Sequence, residues 1–165
     1  MNKFLLQQII ILSLILGLIL GFLAPIPFIG MIMLFTVLLF AAPVVIIYLI
    51  MDGKLDLTTP KDSIITGALI GFCANFTFAI AYCIIIVILS KLFHYTPNFF
   101  LTAMVVNSPV WLIGTFIIFL GVLCGTTNSF SAFATYYIIN FIRDMYEAKH
   151  PELKQQKDLT QENYK

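Results

Sequence analysis

The side chains able to do ionic or metal chemistry are confined to a few short stretches of this 165-residue chain: Lys3, the group Asp52, Lys54, Asp56, Lys61 and Asp62, then Lys91 with His94, and Arg143 onward. Three carboxylates in one loop offer the hard oxygen donors that a divalent cation takes. With the two lysines beside them they also form a patch able to meet a headgroup phosphate. A membrane enzyme acting on lipid through this loop would make Asp52 or Asp56 indispensable. A solvated loop turning at Met51-Asp52-Gly53 accounts for the same residues, because Asp and Gly are turn formers. His94 and His150 are the only histidines, and neither has a Ser or Cys partner at a spacing that activates a nucleophile. Cys73, Cys83 and Cys124 lie inside apolar stretches without CxxC spacing, so they read as small buried hydrophobes rather than a redox or zinc site. The sequence therefore leads us to expect no enzyme, no catalytic residue, no metal and no cofactor.

What lies between these stretches sets the class. No Asp, Glu, Lys, Arg or His occurs from Phe4 to Met51, from Ser63 to Ser90, or from Tyr95 to Ile142. An ionised side chain at bilayer depth is costly, so charge-free blocks of this length mark bilayer-embedded protein. At 61% hydrophobic and 10% charged residues, the composition departs from a soluble domain in the same sense. The expected fold is all-α: an integral membrane helical bundle over residues 1–146, in contact with the lipid bilayer and not with nucleic acid.

Chain length then limits the threading. The first block of 48 residues would be about 72 Å long as one helix, against a hydrocarbon core of roughly 30 Å. Pro25 and Pro27 divide it, giving spans at about 4–23 and 28–51, and Pro43 should kink the second and free the carbonyl of Leu39. The apolar run after Lys3 is longer than a signal-peptide core, and Phe22 and Pro25 flank its candidate cut, so it reads as a retained span. Thr59, Pro60 and Asp62 form a helix start ahead of a span at about 62–92. Thr96-Pro97 and Ser108-Pro109 are starts of the same kind. They predict a short interfacial or re-entrant helix from Pro97 to Val106 and a fourth span at about 109–130, with Trp111 at headgroup level.

Past the polar patch Gly125 to Ser129, the residues Phe130, Phe133, Ala134, Tyr137, Ile138, Phe141, Ile142 and Met145 recur at helical spacing. They predict an amphipathic extension over 130–146, a fifth span being the alternative. Lys and Arg near span ends favour the cytoplasmic side. With Lys3 placed there, Lys54 and Lys61 follow, and one further span brings Arg143, Lys149, Lys154, Lys157 and Lys165 to the same side; two would put all five outside. Four spans with both termini cytoplasmic is the expected topology. Residues 147–165, rich in Gln, Lys and Glu, read as a disordered polar tail. The general look is similar to that of small glycine-patterned membrane proteins of prokaryotes, and the expected location is a prokaryotic plasma membrane.

Six of the nine glycines fall in pairs one turn apart: Gly17 with Gly21, Gly67 with Gly71, and Gly121 with Gly125. Such GxxxG pairs open grooves for close helix approach, either within the bundle or in a homo-oligomer or membrane partner. On the third span Gly67, Gly71, Asn75, Phe78 and Tyr82 share one face. Asn75 is a neutral polar group at membrane depth, suited to an interhelical hydrogen bond worth roughly 0.6–2 kcal/mol. It could instead form a polar cavity wall with Thr66, Tyr82, Asn107 or Asn128. Two functions follow as expectations: an accessory or self-associating subunit packed through the glycine pairs, or a small permease or lipid- or solute-binding component with a cavity near Asn75. The charge-free spans offer no proton relay, voltage sensor or charged ion-coupling site.

Overall fold

A computed structural model describes residues 3–26, 28–55 and 59–149. Among the described residues the fold has five helices and no strand: α1 (Lys3–Leu23), a broken second helix, α4 (Pro60–Leu92), α5 (Phe99–Asn107) and α6 (Val110–Lys149). The second helix consists of α2 (Ile29–Phe35), a π-helical turn (Thr36–Phe40) and α3 (Ala41–Met51). Four of these helices are long and apolar enough to cross a membrane, at Lys3–Leu23, Ile29–Met51, Pro60–Leu92 and Val110–Tyr146. The chain forms two compact units, Met1–Phe133 and Ala134–Lys165.

The ends of the helices follow the sequence closely. Beyond Leu23 the chain turns through Pro25, and the break is sharpened by Phe28, whose φ of +66° is a left-handed conformation. Pro27, the second breaker, lies outside the described residues. Gly30 lies so near the carbonyl of Ala24 that no Cβ fits there, which lets the second helix start directly against the turn. At α4 the hydroxyl of Thr59 accepts from the Asp62 amide at 3.2 Å and donates to the Asp62 carboxylate at 2.8 Å, with Pro60 in the first turn. The Thr59 hydroxyl thereby satisfies one of the backbone donors left free by the first turn, and the Asp62 carboxylate fixes its orientation. This cap places the helix start at Pro60, as the Thr59-Pro60-Asp62 pattern predicts, just ahead of the expected span at about 62–92.

Two boundaries differ from expectation. The short helix α5 starts at Phe99 and ends at Asn107 instead of spanning Pro97 to Val106. The reason is Asn98, whose side chain accepts from the Leu101 amide at 3.2 Å and outcompetes Thr96-Pro97 as the cap. The polar patch after Gly125 does not end α6, which continues unbroken to Lys149, so residues 130–146 prolong one helix and form no separate fifth span. The hydroxyls of Thr126 and Ser129 return to carbonyls three or four residues back, which satisfies these side chains without interrupting the helix. Residues 147–149 of the expected tail belong to this helix, and the remainder of that tail, 150–165, lies outside the described residues.

In the first unit α4 is the central helix. α1 runs parallel to it: Gly17 lies on the backbone of Ala74, and Gly21, one turn on, lies on Phe78. α6 runs antiparallel along another face, where Gly67 meets Asn128 and Ala132 and Gly71 meets Cys124 and Asn128. The buried face of α1 (Ile9, Ser13, Gly17, Leu20, Gly21) advances by three or four residues, as one side of a helix must. Ile46, Leu49, Ile70, Ala74 and Ile86 fill the interior, while Phe76, Ile84, Ile118, Phe119 and Val122 stand exposed on the outside. An apolar exterior of that extent is what a bilayer requires. In the second unit the described part, 134–149, is helical and exposes Tyr137, Ile138, Phe141 and Ile142.

Candidate functional site

Pro43 is accommodated differently from the expected kink. The distortion lies just before it, as the π turn Thr36–Phe40, and the backbone groups it frees are taken by α6. In a regular α-helix the Ala42 amide would donate to the Leu38 carbonyl. Here the Ala42 amide donates to Oδ1 of Asn128 at 2.8 Å, and Nδ2 of Asn128 donates to the carbonyls of Val37 at 2.9 Å, Leu38 at 3.0 Å and Cys124 at 2.9 Å. The Thr127 hydroxyl donates to Leu38 as well, at 2.7 Å. One buried carboxamide thus replaces the missing rungs of the second helix, and the carbonyls so engaged are those of Val37 and Leu38 rather than Leu39. Asn128 is 0% exposed, with both ends of its amide occupied.

The π turn bulges the second helix at the wall of a cavity of about 500 Å³, which lies wholly within the first unit. Met31, Leu34 and Leu38 face it from the second helix, Leu101 and Met104 from α5, and Ile113, Ile117 and Leu120 from α6. α4 contributes Asn75, Phe78, Ala79, Tyr82 and Cys83. One end is bordered by the connections between helices, at Pro25, Ile26, Pro97 and Asn98; the other reaches Val37, Asn75 and Cys124 in the middle of the bundle. Phe78 and Tyr82 stack with ring planes 2° apart and centroids 6.1 Å apart, a flat aromatic wall.

At the inner end, Asn75 is 5% exposed. Its Oδ1 accepts from the thiol of Cys124 at 3.4 Å, a normal distance for sulfur, while Nδ2 has only the Ile117 carbonyl at 3.5 Å. A carboxamide carries two N–H donors. That contact is at the outer limit of a hydrogen bond, so Asn75 has donor capacity to spare.

The five residues considered together as a polar cavity do not converge. Asn75 and Tyr82 line the same cavity. Thr66 is buried in the face of α4 away from it, Asn107 is exposed at the end of α5, and Asn128 is the clamp on the π turn. The six paired glycines all lie against helices of their own chain, Gly121 against the Phe72 ring and Gly125 against the Ala68 carbonyl completing the set. Sequence reasoning missed Cys124 as the partner of Asn75 and missed the aliphatic lining altogether, since a Leu in a span carries no mark of which side it faces.

The charged loop is occupied by its own contacts. Lys54 pairs with Asp52, whose hydrogen bond holds the exposed ammonium above its usual pKa, and Asp62 is engaged by Thr59. Asp56 and His150 lie outside the described residues. Among the described residues no three His, Cys, Asp or Glu side chains gather into a metal-binding group.

The site and fold define a helical bundle with four candidate membrane spans and an apolar, partly open cavity. No family model, no curated protein and no solved structure matches the chain.

Proposed function

We propose that this is a multi-pass protein of a prokaryotic plasma membrane that binds an apolar molecule taken from the bilayer and performs no chemistry on it. The observation that carries this reading is the cavity of about 500 Å³, which falls in the size range of small-molecule sites and is apolar apart from a few placed polar groups. Placing both termini on the cytoplasmic face follows from Lys3, Lys54, Lys61 and the basic residues from Arg143 onward.

The accessory-subunit reading loses its main motive, because the six paired glycines are already taken up inside one chain. An oligomer or a membrane partner would have to use the exposed Phe and Ile faces instead, which lipid covers equally well.

Ala79 lines the cavity from α4, and Ala79→Phe places a ring in that space without touching the glycine contacts or the Asn128 clamp. Native mass spectrometry of gently extracted protein should find the wild-type chain with one apolar molecule bound and the variant without it. Circular dichroism should report the same helix content in both. Equal retention by the variant would show that whatever co-purifies is held elsewhere.

A further inference from the structure

Which molecule fits depends on the inner end of the cavity. No Asp, Glu, Lys, Arg or His is among its lining residues, so an ionic headgroup placed inside would have no counter-charge. A pure hydrocarbon would fill the space but leave Asn75 Nδ2 with its single 3.5 Å contact. Oδ1 of the same carboxamide is already occupied by the Cys124 thiol, so what the site offers its ligand is a donor. The matching group is an uncharged acceptor: a carbonyl, ester, ether or hydroxyl oxygen.

We infer that the cavity selects a neutral amphiphile that sets one uncharged oxygen against Nδ2 of Asn75 and lays its hydrocarbon body toward the connections at Ile26 and Asn98. This inference rests on the cavity being a binding site, and it adds the chemical class and direction of the ligand. Along α4 the distance from Asn75 to Cys83 is about 12 Å at 1.5 Å per residue. A cavity of about 500 Å³ is the size of a small-molecule site. A single medium-length chain with one small head suits a site of that size that continues past Cys83 to the connections, whereas a two-chain phospholipid exceeds it. The flat wall made by Phe78 and Tyr82 lies beside the path of the chain just beyond the head.

The test uses three photoreactive diazirine probes of equal chain length in nanodiscs containing the full protein: dodecan-1-ol, dodecyl sulfonate and dodecane. Labelled positions are mapped by tandem mass spectrometry. The alcohol should label cavity-lining segments of α4 and α6 about tenfold more than the other two, the worth of one good hydrogen bond. Asn75→Leu should abolish that preference while dodecane still labels the cavity. Asn75→Ala, which removes the carboxamide without adding volume, gives the same comparison if the leucine variant does not fold. Equal labelling by alcohol and alkane, or a preference that survives loss of the carboxamide, would overturn the assignment of the ligand class and leave the cavity reading standing. Absence of cavity labelling by all three probes would overturn both.

Discussion

Replacing Asn128 with leucine should destabilise the protein by about 3 kcal/mol, although the two side chains are similar in size and leucine is the better membrane residue. The estimate takes interhelical hydrogen bonds at about 0.6–1.7 kcal/mol each and a buried backbone group left unpaired at about 1–3 kcal/mol. Asn128 supplies one acceptor to the Ala42 amide and two N–H donors shared among the carbonyls of Val37, Leu38 and Cys124. Thr127 can still serve Leu38, so part of the loss is recovered there. With the clamp gone, the cheapest remedy is for the second helix to re-form its own ladder, converting the π turn to α-helix. That removes the bulge at the cavity wall, so the apolar ligand should be lost along with stability. Unfolding in mixed micelles gives the energy, and hydrogen exchange at the Ala42 amide reports the local rearrangement. A loss under about 0.5 kcal/mol, the level of an ordinary surface substitution, would show that the carboxamide does not hold the turn.

The second large effect has the opposite sign to helix propensity. Gly→Ala in an exposed helix interior stabilises by about 1 kcal/mol. At Gly17 the added methyl meets the carbonyl of Ala74 and the hydroxyl of Thr77, and the carbonyl is backbone of a helix that cannot yield. Gly17→Ala should therefore destabilise by about 1–3 kcal/mol, the usual range for overpacking, as α1 is pushed off α4. Gly114, around which there is open space, is the internal control, and Gly114→Ala should be neutral or stabilising. Equilibrium unfolding of the two variants side by side makes the comparison. If Gly17→Ala behaves like Gly114→Ala, the two helices do not approach as closely as described.

Much of the fold could be read from the chain because the bilayer imposes strong rules. Charge-free blocks, Pro25 and the Thr59-Pro60-Asp62 start place the ends of the first three spans within a few residues of where they occur. The glycine pairs also announce close helix contacts, but not with which helix, since spacing shows a face and not its neighbour. The π turn was hidden for a physical reason. Pro43 signals a disturbed helix, yet where the disturbance settles depends on which side chain of another helix can take up the freed groups. That is Asn128, 85 residues further on. Asn128 shares the helical face of Gly121 and Gly125, a placement that hints at contact with α4 but not at a bond to the second helix. The candidate site was half legible. Asn75 stands out as a polar residue at depth, whereas Thr66, Asn107 and Asn128 look equally eligible from the sequence and are not among the residues lining the cavity.

The cavity ending at Asn75 should hold one molecule. The most direct measurement is a structure, determined by electron cryomicroscopy with a rigid binding fragment, of the protein extracted in its own membrane lipid. The account predicts one continuous, elongated density between α2, α4, α5 and α6, ending within hydrogen-bonding distance of Nδ2 of Asn75. A cavity closed by α2 and α5 settling against α4 and α6, with no density beside Asn75, would contradict it.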